Sequence, residues 1–593
     1  MCAEIFLISW LNTFFSLPSD VYITSKAMKS PQKPKKKPLT PKSKVAKSKQ
    51  KAKQQTIKSE KGKLFDHLIK DVKRNDWDAV GRSLERLYDS HRDQLTYVQF
   101  VAGAKWMLDS QNFDLCHKLA SEALEREPER HEAPEVLFFL YLHRNDVGKA
   151  KSSLTLARTF GDDKAKYLVW EILLFNEEGN YEGILEHYDA GRIQFDRTDA
   201  RLSEIIFSVV IAFIAANRIT DARQMVDDYF PEINELNPNI INLHAKINQA
   251  EGNFEEAVRY FEMAETRFDG SQVAVEARWN KALLQLSCGD LKNGWQNYEA
   301  RWDWDNFPTR RFEFPADRWR GEDLTDKSIL LWGEQGIGDE ILFLTLLPEV
   351  LKLRPSKIGI YASQKICAVI EKWYPQALVL PFSEGAEFPE TITFDYQLPS
   401  GSLPVTLGSL DVSGTKHFIR ERPETVALRG DLLNRFPGKS RIVGLSWRSG
   451  ILTHKRIHYY LAHQAVIEMI RGAPDDVLFV SLQYGINEVE VADLALEPNI
   501  YIPDEDFYND LIAQLNYIQT CDLVVTSGSI CLALAGITAQ PTITWGPKTF
   551  WTLLGREKYP WFPLVHLIRC EPNWDHGGLV AQLKKLLNVF YRS

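Results

Sequence analysis

The sequence has few cysteines, and no two of them are spaced as metal or redox sites require. Its seven cysteines are scattered over 593 residues, and none forms a C-x-x-C pair. Zinc sites and disulfide frameworks are built from such spaced sets, so neither is predicted. Unpaired cysteines are typical of a reducing compartment. We therefore expect a cytoplasmic protein without a bound metal.

Apolar runs long enough to cross a bilayer are also missing, since a spanning helix takes about 20 residues. The run from Ile5 to Phe15 is too short, follows Glu4 instead of a basic leader, and precedes no obvious cleavage site. We predict no stable membrane insertion, with a membrane anchor as the less favoured alternative. A start of translation at Met28 instead of Met1 would remove this run.

A dense excess of basic over acidic residues is found in one N-terminal segment. Ser30 to Lys63 is dense in lysine and almost free of acid, although the whole chain carries a net charge of -8. An acidic body repels the phosphates of nucleic acid, and lysine-rich, apolar-poor segments are usually solvated and disordered. We predict a disordered basic tail over residues 1–62 and no nucleic-acid partner.

A short phrase recurs seven times between Lys63 and Trp304, with small or polar turn residues followed by an aromatic or aliphatic one. The instances are Asn75-Asp76-Trp77, Gln111-Asn112-Phe113, Asn145-Asp146-Val147, Gly179-Asn180-Tyr181, Asn217-Arg218-Ile219, Gly252-Asn253-Phe254 and Gly289-Asp290-Leu291. Their third residues are 36, 34, 34, 38, 35 and 37 residues apart, close to the tetratricopeptide period of about 34.

This period predicts an α-helical solenoid of tetratricopeptide-like hairpins over residues 63–304. Stacked hairpins of this kind enclose a groove, which is a candidate site for a protein or peptide partner. The alternative is that the array only spaces or dimerises the C-terminal half.

After Trp304, short apolar runs alternate with helical stretches. The predicted strands are Ser328–Trp332, Lys357–Tyr361, Ala377–Leu380, Arg441–Trp447, Val477–Leu482, Asp522–Thr526 and Pro541–Trp545. This alternation predicts α/β structure with doubly wound parallel sheets. The long stretch from Gln397 to Lys439 suggests two sheets that face each other, with a ligand cleft between them.

The first predicted strand runs directly into the glycine loop Gly333–Gly338, and a helix follows it. Glycines permit a tight turn and bring backbone N–H groups close to a ligand. A P-loop is excluded because no Gly-Lys-Ser/Thr follows, and a dinucleotide fold is disfavoured because the next strand ends without a ribose-binding acid. Asp339, next in the chain, can also simply complement the helix dipole.

Four segments in series carry a more specific resemblance. They are Leu331–Ile341, Val443–Gly450, Val480–Gln483 and Asp522–Gly536. In this order they resemble the tetratricopeptide-fused glycosyltransferases related to the heptosyltransferase family, and the junction from Gly294 to Trp302 is similar as well. The resemblance implies a GT-B fold with two facing Rossmann-like lobes. Residues 305–430 would form the acceptor lobe, and residues 431–593 the nucleotide-sugar lobe.

The resemblance also implies roles for single residues. Asp339 would be the catalytic base, since an acceptor hydroxyl loses its proton as it attacks the anomeric carbon. The leaving diphosphate needs cations or helix N-termini. The candidate substrate-binding residues are Glu334, Gln335, Gly336, Gly338, Trp447, Arg448, Lys455, Arg456, Gln483, Ser527, Gly528, Ser529 and Trp545. Weaker candidates are His454, His458, Asp506 and Asn509, and Trp545 has a core position as its alternative.

The second lobe departs from the relatives at one motif. Where they commonly have Asp-Thr-x-x-x-His-Leu-Ala-Gly, this chain has Gly528 and Ala533 in place of the acid and the histidine.

The sequence therefore leaves two hypotheses about function. The favoured one is a metal-independent glycosyltransferase that uses a nucleotide-sugar donor, needs no other cofactor, and modifies a protein or glycan acceptor recruited partly by the repeats. The alternative is a non-catalytic tetratricopeptide scaffold with a degenerate glycosyltransferase domain.

Overall fold

The computed structural model describes residues 63–592 with some gaps, and all structural statements concern these residues. The gaps are residues 73, 75, 145, 194, 196, 198–201, 231–236, 306, 383–387, 390, 409–410, 414–415, 450–459 and 571–575. The chain divides into two compact units, one ending at Glu178 and the other beginning at Gly179. This division lies inside the helical array.

The unit that ends at Glu178 is helical. After a helical stretch at residues 63–72, its helices are α1 (Trp77–His91), α2 (Tyr97–Asp109), α3 (Phe113–Arg126), α4 (Glu132–His143), α5 (Val147–Phe160) and α6 (Lys164–Glu178). From α2 onward, each helix packs against the next one along the chain. Small alanines in the first helices, such as Ala104, Ala120 and Ala123, are fully buried, so neighbouring helices approach closely.

The second unit begins with seven more helices of the same kind. They are α7 (Tyr181–Asp189), α8 (Leu202–Ala215), α9 (Ile219–Tyr229), α10 (Pro238–Glu251), α11 (Phe254–Arg267), α12 (Gln272–Cys288) and α13 (Leu291–Tyr298). A 3-10 turn, Glu299–Trp302, follows α13 directly.

Each of the seven predicted turns ends at the first residue of a helix, which confirms the predicted hairpins. In five turns the Asp or Asn before the helix accepts a backbone N–H of its first turn: Asp76, Asn112, Asp146, Asn180 and Asp290. The residue before the cap has a positive φ in five turns, at Gln111, Gly179, Asn217, Gly252 and Gly289. Glycine and asparagine adopt that conformation most readily, so the recurring phrase has a backbone cause.

Two parallel sheets follow the array. The first has strand order β1-β5-β2-β3-β4. Its elements are β1 (Asp317–Arg318), β2 (Ser328–Trp332), α14 (Ile337–Leu344), α15 (Leu347–Lys352), β3 (Lys357–Ser363), α16 (Cys367–Trp373), β4 (Leu378–Phe382), β5 (Tyr396–Pro399) and α17 (Leu403–Thr406). All of its strand pairs are parallel.

The second sheet has strand order β11-β10-β9-β6-β7-β8 and is parallel throughout. Its strands are β6 (Arg441–Ser446), β7 (Val477–Ser481), β8 (Ile500–Tyr501), β9 (Leu523–Thr526), β10 (Thr542–Pro547) and β11 (Val565–Cys570). Its helices are α18 (Pro423–Arg435), α19 (His463–Arg471), α20 (Glu488–Leu494), α21 (Leu511–Thr520), α22 (Ile530–Ile537) and α23 (His576–Arg592).

The predicted fold class, a helical solenoid followed by two doubly wound lobes, is confirmed. All seven predicted strands are present, with ends that differ by at most two residues. Four further strands, β1, β5, β8 and β11, were not predicted. β1 and β8 have two residues each, and β11, at a sheet edge, buries fully only two of its six residues. The predicted lobe border at residue 430 falls inside α18, which packs against α21 of the second sheet.

One hydrophobic core joins the last hairpin to both lobes. Trp295 of α13 lies 6.4 Å from Phe343 of α14 and 6.3 Å from Trp551 of the second lobe, measured between ring centroids. Phe343 and Trp551 stack at 6.2 Å. Beside this cluster, the turn at Gly289 lies against Gly555, where an added Cβ would be 2.6 Å from the Gly289 backbone.

This close approach makes Gly555 a sensitive position. Gly555→Ala combines a positive φ with a backbone collision, so we expect it to lower the free energy of unfolding by at least ~2 kcal/mol more than Gly438→Ala. Gly438 has a positive φ but open space around its Cβ position, so it controls for the conformational cost. Urea denaturation of the two variants measures the difference, and equal midpoints would contradict the close packing.

Candidate active site

The glycine loop and the segment Ser527–Ser529 lie at the carboxyl ends of β2 and β9. Ligands bind at this edge of parallel sheets. The helices that follow the two segments, α14 and α22, pack against each other. The ligand edges of the two lobes therefore lie next to each other at the border between the lobes, which we call the cleft.

A second contact crosses this cleft. Lys365, after β3, places its ammonium group 3.4 Å from the ring centroid of Tyr508 and donates to the Tyr508 carbonyl at 3.4 Å. Asp506 and Asn509 lie in the same loop, where the Asn509 amide donates to Asp506 at 2.6 Å. That hydrogen bond lowers the pKa of Asp506. These two predicted candidates thus shape the loop that meets Lys365.

Asp339 lies in the first turn of α14 and is 7% exposed. Its carboxylate accepts the Gly336 N–H at 3.4 Å. No atom lies within 4 Å of the position that a Cβ on Gly338 would take. The loop is therefore open beside Gly338, close to the carboxylate that the resemblance identifies as the base.

Glu340, which the sequence did not single out, lies below the same loop. It is 2% exposed, and its carboxylate accepts the Ser363 N–H at 3.1 Å. Burial raises the pKa of Glu340 to about 8, and the negative charges of Asp339 and Glu334 act in the same direction. Gly333 packs on this carboxylate, and a Cβ at Gly333 would collide with it.

Glu334 corrects one prediction, because it is an internal ion-pair partner and not an open ligand contact. Its side chain is fully buried, and its two oxygens accept from Arg301 Nε at 2.6 Å and Nη2 at 2.8 Å. The Gly401 N–H donates to it as well, at 2.7 Å. Neither oxygen is left for a substrate.

Gln335 and Gly336 remain candidates at the cleft, since both are partly exposed. Gln335 has a φ of 63°, which is unusual for a side chain with a Cβ. Its N–H donates to Thr309 Oγ1 at 2.7 Å, and its side-chain amide donates to the Tyr298 hydroxyl. Its backbone is thus fixed by Thr309, and its side chain by the last hairpin.

On the second lobe, Ser527–Ser529 leads into α22. The Ser527 hydroxyl is buried and has no hydrogen-bond partner among the described residues. Gly528 is exposed with open space at its Cβ position. Ser529 is the N-cap, its hydroxyl does not cap the helix, and it lies 3.5 Å from Thr526 Oγ1. The chain is therefore open at Gly528, directly before α22.

Gln483 and Arg448 are a second correction, because both are occupied within the protein. Gln483 Oε1 accepts the N–H groups of Trp447 and Arg448 at 2.9 Å each, and its amide donates to the Arg448 and Tyr484 carbonyls at 2.8 Å. The Arg448 guanidinium pairs with Glu490, which is buried, and donates to the Gly485 carbonyl. Neither side chain is available to a diphosphate.

The two tryptophans are core residues. Trp447 is 1% and Trp545 3% exposed, and both belong to the core on one side of the second sheet. Trp545 therefore has the core position that was the alternative to stacking on a base. Of the other predicted cations, Lys455 and Arg456 lie outside the described residues, as do His454 and His458.

Three further observations limit the chemistry of the described residues. No group of three or more His, Cys, Asp or Glu is placed to hold a metal ion. None of the six described cysteines forms a disulfide. No described helix is both long enough and apolar enough to span a membrane.

The buried Glu340 gives a pH prediction. Its pKa is about 8 in the folded chain, and the ordinary value is 4.5. The folded state therefore has its full stability while Glu340 is protonated, and it loses stability as the pH rises from about 4.5 towards 8. Relative to Glu340→Gln, wild type should lose on the order of 3 to 5 kcal/mol between pH 5 and pH 8.5. Urea denaturation at both pH values measures this, with the exposed Glu371→Gln as control. Parallel pH dependence of wild type and Glu340→Gln would contradict it.

No protein-family model matches this chain. Protein FlbA from Caulobacter vibrioides (strain ATCC 19089 / CIP 103742 / CB 15) is 29% identical over 317 residues. The match covers 50% of this chain and 52% of FlbA. The chain thus spans about half the length of the curated relative it matches.

Solved structures of at least two kinds are similar to this chain. A tetratricopeptide repeat protein from Parabacteroides merdae is 12% identical and covers 40% of this chain and 91% of its own, with a TM-score of 0.32. The ADP-heptose lps heptosyltransferase II of E. coli is 13% identical and covers 44% and 98%, with a TM-score of 0.33. A family 9 glycosyl transferase from Veillonella parvula is 11% identical and covers 45% and 96%, also at 0.33.

Proposed function

We propose that residues 305–593 form a metal-independent glycosyltransferase that moves a sugar from a nucleotide-sugar donor to a protein or glycan hydroxyl. One observation carries the proposal. Two helices, α14 and α22, pack together while each begins at a glycine-bearing loop on the ligand edge of its own sheet. One of these loops also leads to the buried carboxylate of Asp339.

The donor diphosphate is assigned to the N-terminus of α22. Helix N-termini bind phosphate through backbone N–H groups and the helix dipole. Gly528 supports this assignment because an added Cβ would meet only open space there, so phosphate oxygens can approach the N–H of Ile530. The Ser529 N–H already donates to the Ser527 carbonyl at 2.7 Å. Arg448 has no part in it, since Glu490 holds its guanidinium.

The acceptor hydroxyl is assigned to the open side of the glycine loop. There Asp339 takes the hydroxyl proton as the acceptor oxygen bonds to the anomeric carbon. The bond from that carbon to the diphosphate breaks in the same step, and the nucleoside diphosphate leaves. Both helix N-termini stabilise the negative charge that develops.

The scaffold alternative is supported by a different observation. Gly528 and Ala533 stand where relatives carry an acid and a histidine, and Ala533 is buried at 4% exposure. The side chains that usually grip the nucleotide are therefore gone. A chain that serves only as a tetratricopeptide scaffold would bind no nucleotide.

The base assignment is tested by Asp339→Asn in the full chain. With UDP-glucose, UDP-N-acetylglucosamine, GDP-mannose and ADP-glucose as probes, wild type should slowly hydrolyse at least one donor, with water as acceptor. The variant should hydrolyse it at least ~100-fold more slowly and keep its affinity for the matching nucleoside diphosphate, measured by calorimetry.

Asp431→Asn is the matched control, because Asp431 is exposed on α18. Normal hydrolysis by Asp339→Asn would contradict the base assignment. Absence of both hydrolysis and nucleoside diphosphate binding in wild type would favour the scaffold.

The phosphate assignment is tested at Ser529 with two variants of nearly equal shape. Asp and Asn both cap helices well, so Ser529→Asp and Ser529→Asn should fold alike and differ in charge alone. The carboxylate repels the diphosphate, and we expect its Kd to be at least ~10-fold higher for Ser529→Asp. Equal Kd values would place the diphosphate elsewhere.

A further inference from the structure

We infer that Arg301, at the end of the last helical hairpin, is a positioning residue for the loop that carries Asp339. This role rests on the proposed function, because it concerns the base of that reaction. It assigns the last hairpin to the active site itself, and not only to the recruitment of acceptors.

Arg301 is fully buried and uses its whole guanidinium group. Nε and Nη2 donate to the two oxygens of Glu334 at 2.6 and 2.8 Å. Nη1 donates to the Tyr298 carbonyl and to Glu299, both at 2.9 Å, and Nη2 also reaches Ser402 Oγ at 3.0 Å. Only the planar fork of arginine can serve these acceptors together.

The next loop residue is held from the same side. The side-chain amide of Gln335 donates to the hydroxyl of Tyr298, and the Gln335 N–H donates to Thr309. Tyr298 is itself fully buried and lies 5.8 Å from Trp551 between ring centroids. The φ of 63° at Gln335 is therefore maintained by contacts with the hairpin and the segment behind it.

These contacts bear directly on Asp339. Glu334 and Gln335 are the residues between Gly333 and Gly336, and Gly336 is the N-cap of α14, whose first turn carries Asp339. Glycine leaves a backbone with wide conformational freedom, so the loop depends on these anchors for its shape. A displacement of about 1 Å at a catalytic group can lower the rate 100-fold.

The competing explanation is that Arg301 only stabilises the fold. A control pair separates the two roles: Arg223 of α9 and Glu251 of α10 form the same fork, at 3.0 and 2.7 Å, between helices of the array. Arg223→Lys removes a fork without touching the glycine loop. An effect that appears in both Arg301→Lys and Arg223→Lys is attributed to a loss of stability.

The experiment compares Arg301→Lys, Tyr298→Phe and Arg223→Lys in the full chain, with the donor that wild type hydrolyses fastest. We expect kcat to fall at least ~10-fold for Arg301→Lys and roughly 3- to 10-fold for Tyr298→Phe, which loses one hydrogen bond. KM for the donor should stay within about twofold, because the other lobe holds the nucleotide. Arg223→Lys should leave both constants unchanged.

Tyr298→Phe keeps the ring in its aromatic cluster. If Arg301→Lys does not fold, the kcat of Tyr298→Phe tests the positioning role instead. Unchanged kcat in an active background, or a change confined to KM, overturns the positioning role and leaves the proposed function standing. A wild-type chain that neither binds nor hydrolyses any of the probes overturns the proposed function, and the positioning role with it.

Discussion

The packing of Trp295, Phe343 and Trp551 is the contact on which the rest of the structure depends. The three rings come from the last hairpin, the first lobe and the second lobe, and they lie within one continuous core. Burial of aromatic side chains is among the strongest contributions to packing. Because the three parts share this core, α14 and α22 meet with the ligand edges of both sheets beside them.

Charge placement around the glycine loop follows from the same junction. Three carboxylates, Glu334, Asp339 and Glu340, lie close together in a buried region. Arg301 neutralises Glu334. Burial raises the pKa of Glu340 to about 8, so this carboxyl group is protonated at neutral pH. In our account this leaves Asp339 as the carboxylate beside open space, which is what a base facing an acceptor hydroxyl requires.

Local features were predictable from the sequence, and long-range partners were not. The turn at Gly289 was predicted because a positive φ and an Asx cap are properties of neighbouring residues. Glu334 was misassigned because its partner Arg301 lies 33 residues earlier, and Arg448 because Glu490 lies 42 residues later. A polar residue in a glycine loop looks the same in sequence whether it meets a ligand or an internal charge. The two-residue strand β1 carries too few residues to show any pattern.

The central claim is that one nucleoside diphosphate binds at the N-terminus of α22, opposite the glycine loop that leads to Asp339. Amide hydrogen exchange of the full chain with saturating UDP, GDP or ADP tests it most directly, because the first amides of a helix have no partner within it. We predict that at least one nucleotide slows exchange both in residues 335–339 and in residues 528–532. Slowed exchange confined to other parts of the chain, or no change with any of the three, would contradict the account.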